Sequence, residues 1–193
     1  LRMGVEVGRR PFVGLDFRMT ELTAAVLLAQ MRKLDQIKAT LHANKRRFKD
    51  AIRDLPGIDF REITDAEGEC ATLLSVLLPN EEIARKVAAG LGTKVVADSG
   101  WHVYNNMEQV LEKRTVTPEG CPFTCPYYKG GEVKYAKGML PQTDALLSRT
   151  INISIGVSDA GLGSAFGVTI RDGFDVVDAK ADEFCRIAKE YLR

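Results

Sequence analysis

The sequence predicts an α/β chain with an α+β-like order, helices covering one face of a small sheet. Three observations carry this. Apolar residues recur at three- and four-residue steps over 20–55, two runs at 57–63 and 70–79 have strand composition, and a second helical stripe begins near Val176.

The first pattern comprises Leu27, Met31, Leu34, Ile37, Leu41, Phe48, Ile52 and Leu55, with Thr20 as N-cap and Pro56-Gly57 as the stop. A single helix of this span would be about 50 Å long. Its weak point is expected at 40–44, where Thr40, His42 and Asn44 are poor helix formers. From Ala24 to Ala29 the pattern is apolar all round, as for a helix enclosed on every side.

"GIDFREI" reads as a strand, and "CATLLSVLLP" as a strand buried on both faces. "NEEIARKVAAGLG" is an amphipathic helix capped by Asn80, with Glu81 and Glu82 at its positive end. "TKVVAD" (93–98), "RTINISIGV" (149–157) and "GVTIRD" (167–172) read as further strands, and "MEQVLEKR" as a short helix. The span 114–148 is loop-rich, the kind of long connection that is more often functional than idle. Ala181, Phe184, Cys185, Ala188, Tyr191 and Leu192 form the stripe of the last helix.

Composition narrows the function classes. Lys+Arg 27 against Asp+Glu 26 gives a net charge of +1, so no overall field points to nucleic acid or a membrane surface. No apolar run approaches the roughly 18 residues of a membrane span. Four cysteines without disulfide-framework spacing make a reducing cytoplasm the expected location. Residues 1–14, with glycines at 4, 8 and 14, read as loop or as a strand remnant, and as the middle of a longer protein.

Several motifs invite chemistry. Cys121 and Cys125 in "CPFTCP" suggest zinc, which takes about four ligands. The remaining cysteines and histidines are scattered, so no metal is expected and packing should order this span. Asp98, Ser99 and His102 lie too close along one segment to converge as a hydrolytic triad. Trp101, His102, Tyr104, Asn105 and Asn106 supply aromatic walls and polar hands. That composition suits a pocket wall or a loop packed on its own aromatics, and the sequence alone leaves both open. "GLGSAFG" has Phe166 in place of the third glycine of a dinucleotide fingerprint and reads as a turn. "KRRFK" (45–49) reads as a solvated helix face.

The most specific stretch is "GLDFRMTELTAAVLLAQMRKLD", residues 14–35. Gly14, Phe17, Arg18, Met19, Glu21, Ala24, Ala25, Gln30, Lys33 and Leu34 fit a pattern of the DegT/DnrJ/EryC1/StrS family, the sugar aminotransferases that use pyridoxal 5'-phosphate (PLP), which this segment resembles. The remaining chain is similar to that family in element order.

The resemblance implies a fold-type I PLP-dependent transferase, of which this chain would be the C-terminal portion. Residues 1–19 would be a linker from a large PLP-binding domain, 20–56 a long connecting helix, and 57–193 the small C-terminal α/β domain. It implies transfer of an amino group from glutamate or glutamine to a keto sugar, nucleotide-linked or a sugar acid, by a homodimer. Asp16 and Arg18 would approach the cofactor, and Trp101, His102 and Tyr104 the sugar. The family's Schiff-base lysine precedes the motif, and no lysine occurs in residues 1–13, so no catalytic residue is expected in this chain, nor activity from it alone. Lys129 of "YYKGG" follows the motif and reads as a surface turn. Asp16 stands where the family has asparagine, and its carboxylate would repel a phosphate. A dehydratase on the same fold, or a non-catalytic module that dimerises through the apolar helix, are the competing readings.

Overall fold

The computed structural model describes residues 19–100, 103–124, 126–156 and 164–192. The chain divides into two compact units, one formed by Leu1–Leu27 with Trp101–Pro141 and the other by Leu28–Gly100 with Gln142–Arg193.

Where one long helix is predicted there are two, α1 (Glu21–Met31) and α2 (Leu34–Ile52). Thr20 caps α1 as expected, its Oγ1 accepting from Thr23 N at 3.2 Å. The break falls at Arg32–Lys33 and not at 40–44; Lys33 N bonds Gln30 O at 2.9 Å, an i→i−3 turn. Residues 40–44 stay helical because Leu41 and Asn44 belong to the buried stripe of α2, and packing outweighs propensity there. No residue of α1 is buried; Leu22 is 78% exposed and Leu28 60%.

The second unit is a three-stranded antiparallel sheet, in the order β1 (Asp59–Phe60), β2 (Leu73–Leu77), β3 (Thr150–Ser154). It agrees with the expected α/β class at the level of mixed helices and a small sheet. Val76 pairs with Ile151 and Leu74 with Ile153. β2 is buried on one face, not on both. Leu74 and Val76 point into the core, while Leu73, Ser75 and Leu77 are half-buried, and Ser75 hydrogen-bonds Asn152 at 2.8 Å on that face. The run looks uniformly apolar because leucine also fills its less covered positions.

Helices α2, α3 (Glu81–Gly90) and α6 (Phe174–Lys189) complete the core, the last following α4 (Glu108–Leu111) and α5 (Pro141–Ser148) along the chain. Asn80 caps α3 as its sequence predicts, Oδ1 accepting from Ile83 N at 2.9 Å. Phe48 of α2 meets Phe184 of α6 edge-to-face, centroids 6.5 Å apart. In α6, Ala181, Phe184, Ala188 and the following Leu192 are buried as the stripe requires, whereas Cys185 and Tyr191 are half-buried flanks.

Two predicted strands contract to single bridges. In 93–98, Val95 pairs with Ile151, after which Val96–Asp98 curls into a 3₁₀ turn. Asp98 is drawn into an ion pair with Arg85, which also binds Glu81 at 2.8 Å, and the chain cannot stay extended. In 167–172, Gly167 bridges Ser154 at φ +136, so close that a Cβ would collide with the Ser154 backbone. Asp172 then folds the chain back, its Oδ2 accepting from Thr169 N at 2.6 Å. The turn predicted at 159–166 lies partly outside the described residues.

Candidate functional site

Four of the five predicted site residues, Asp16, Arg18, Trp101 and His102, lie outside the described residues. Tyr104 is described. It opens a 3₁₀ turn, Tyr104–Asn106, behind the buried Val103. The Tyr104 hydroxyl accepts from Leu140 N at 3.1 Å, and Asn105 Oδ1 accepts from Gly138 N at 3.1 Å. Tyr104 and Asn105 therefore hold residues 138–140 against the turn. These two contacts order the loop, while Trp101 and His102 of the same cluster lie outside the described residues.

Beyond the turn lies α4 (Glu108–Leu111), the short helix expected after Met107. It ends with Arg114 N bonding Gln109 O at 2.9 Å and Lys113 N bonding Val110 O at 3.1 Å. This closure places its pivot residue in the left-handed region, where glycine is usual. Here the pivot is Lys113, at φ +53. A side chain in that conformation costs about 1 kcal/mol relative to glycine.

Lys113 reaches a cavity of about 500 Å³ that Phe123, Tyr128, Glu132 and Tyr135 also line. Phe123 and Tyr135 stand at 74° with centroids 5.6 Å apart, and Lys113 Nζ lies 5.8 Å from the Tyr135 centroid. The Tyr128 hydroxyl donates to Gly131 O at 3.2 Å, and a Cβ on Gly130 would strike the Tyr128 ring. Sequence reasoning missed this cavity. Its residues are spread over 113–135 without a period, and no sequence pattern marks Lys113 as a left-handed pivot.

The model of the DegT/DnrJ/EryC1/StrS aminotransferase family matches residues 2–159. The chain belongs to that family. Membership in DegT/DnrJ/EryC1/StrS makes an aminotransferase-type function the general reading, and members are PLP-dependent in general.

Among the described residues of this DegT/DnrJ/EryC1/StrS chain, Lys45, Lys86 and Lys180 are held by carboxylates and are poorly suited to a PLP site. Such a site needs a lysine amine free to bond the aldehyde and donors around a phosphate. Lys45 is well enclosed, its side chain 11% exposed, but its Nζ is held by both Glu69 oxygens at 2.6 and 2.7 Å. Lys180 is engaged by Glu183 at 2.7 Å, Lys86 by Glu82 at 2.7 Å, and Lys129 is exposed. Among the described residues no group of three or more His, Cys, Asp or Glu could hold a metal ion. Cys121 is half-exposed, and Cys125 lies outside the described residues. No described helix is long and apolar enough to cross a membrane.

Proposed function

We propose that this chain is the small-domain portion of a PLP-dependent aminotransferase that moves an amino group from glutamate or glutamine to a keto sugar. The family match over residues 2–159 carries this reading. The lysine that bonds PLP is assigned to a large domain, because the family's Schiff-base lysine precedes the motif that begins here at Gly14. Asp16 and Arg18 are proposed to approach the cofactor of a partner subunit, and Trp101, His102 and Tyr104 to face the sugar. A homodimer is proposed because α1 carries Leu22, Val26, Leu28 and Met31 more than half exposed, which suits a helix covered by further protein.

The test has two steps. The transcript upstream of the Leu1 codon is sequenced, and the complete product is then assayed with PLP, glutamate and a panel of keto sugars. Release of 2-oxoglutarate matched by formation of an amino sugar is the expected result. Loss of water from the sugar without consumption of glutamate would replace transfer by dehydration. A reading frame with no lysine-bearing domain, and no turnover, would leave a non-catalytic module.

A further inference from the structure

Between α2 and the loop at 61–69 lies a cavity of about 620 Å³, and a second of about 490 Å³ adjoins it, with Arg46 and Glu67 lining both. The larger one has an apolar lining in Leu74, 2% exposed, and in the half-buried Phe60 and Ile63. Its loop wall is anchored at Glu69, whose carboxylate takes Lys45 Nζ at 2.6 Å and whose carbonyl oxygen lies 2.9 Å from His42 Nε2. Four cations and four carboxylates line this cavity, so their charges cancel. Lys45 and Glu69 use each other, and Lys49 lies 4.8 Å from the Phe60 centroid. Arg46, Arg61, Asp59, Glu62 and Glu67 form no ion pair among the described residues. Elsewhere arginines take carboxylates, as Arg47 takes Asp178 and Arg85 takes Glu81 and Asp98. Around this cavity both signs stay apart. An anion would gain at the guanidinium groups and lose at the carboxylates, and a cation the reverse. A molecule with both charges on one carbon gains at both, whereas a peptide carries its terminal charges at opposite ends.

We propose that this cavity binds a free α-amino acid with an apolar side chain. The amino acid's carboxylate accepts a two-point pair of hydrogen bonds from Arg46, its ammonium donates to Glu67, and its side chain covers Ile63 and Leu74. All four residues belong to the second unit, and none is among those assigned to the cofactor or the sugar. The inference therefore goes beyond the aminotransferase reading and does not depend on it.

The experiment is an NMR titration of the purified, isotope-labelled chain with L-leucine and no PLP present. N-acetyl-L-leucine, which keeps only the negative charge, and L-leucinamide, which keeps only the positive one, are titrated in parallel. Leucine is expected to saturate, moving the signals of Arg46, Ile63 and Glu67, and each blocked probe should bind at least roughly tenfold more weakly. Arg46→Gln and Glu67→Gln should each weaken leucine by roughly tenfold. Both side chains are exposed and unpaired among the described residues, so the variants should melt as the parent protein does. Arg53→Gln, on the same helix but paired with Asp50, should leave leucine binding unchanged. The idea is overturned if a blocked probe binds as well as leucine, if affinity is unchanged in both Arg46→Gln and Glu67→Gln, or if roughly 50 mM leucine moves no signal. Because no cofactor or sugar is used, failure here leaves amino transfer standing, and failure of the transfer assay leaves this site standing.

Discussion

Arg47 of α2 and Asp178 of α6 meet in a two-point ion pair, Nε to Oδ1 and Nη2 to Oδ2, both at 2.6 Å. The Arg47 guanidinium also lies 4.8 Å from the Phe174 ring centroid. One side chain thus ties the middle of α2 to the first turns of the last helix. The hydrogen bonds from Arg47 hold the Asp178 carboxyl below its ordinary range; desolvation opposes them, and the Arg47 charge adds the smallest share in the same downward direction.

A folded-state value below the unfolded one gives stability that is present above the unfolded pKa, about 3.9 for Asp. That stability is lost as pH falls through the folded value. Asp178→Asn should therefore melt below the parent protein by a constant margin from pH 7 to about pH 5, and the margin should close as pH falls below about 4. Both partners are nearly half exposed, so added salt should shrink the margin at neutral pH. Melting curves of the two proteins across pH check this, and a margin that widens in acid would refute it.

Asn44 is 2% exposed within the buried stripe of α2, and its Nδ2 has no hydrogen-bond partner among the described residues. An unsatisfied buried donor costs about 1–3 kcal/mol. Asn44→Ala removes that donor and improves helix propensity at the expense of some contact area, and should raise stability by about 1 kcal/mol. Asn44→Asp should lower it, because the new charge would be buried without a partner. Urea titrations of the three proteins decide the matter.

Lys45 and Glu69 form an ion pair at 2.6 Å with side chains 11% and 18% exposed, and the His42 ring nitrogen Nε2 lies 2.9 Å from the Glu69 carbonyl oxygen. Together they pin the loop before β2 onto α2. Glu69→Gln leaves an enclosed ammonium without its anion, and should cost about 1–2 kcal/mol, between the surface and buried extremes. Limited proteolysis should then cut within residues 61–70 sooner than in the parent protein, while the α3 region is cut at its former rate.

Glutamate at Leu22 and Val26 tests whether α1 is an association surface. Light scattering of the parent protein at rising concentration should show self-association, and Leu22→Glu with Val26→Glu should abolish it without altering the melt of the second unit. A clean monomer at high concentration would count against the homodimer.

What the sequence discloses here depends on how local its cause is. The stripes of α2 and α6 and the Asn80 cap need only neighbours three or four residues away, and all three are present. The strands fail at their ends because extent is set by distant partners. Val95 stops pairing where Arg85 captures Asp98, and Gly167 touches Ser154 once before Asp172 turns the chain. The break at Arg32–Lys33 has neither glycine nor proline to announce it. Residues 14–35 were enough to point to the family, because that motif is compact. The Phe123–Tyr135 corner was hidden because loop geometry brings its members together, with no repeat to read.

The pairing of β3 has a consequence for how this protein can associate. An edge strand with free amides and carbonyls recruits strands from other molecules. Val95 covers the outer side of β3 at Ile151, Phe166 O and Val168 N take the two backbone groups of Ser154, and β1 at the far edge offers two residues. Little of the described sheet remains as a template for cross-molecular strand addition. Among the described residues, growth into fibrils by that route has little exposed edge to build on.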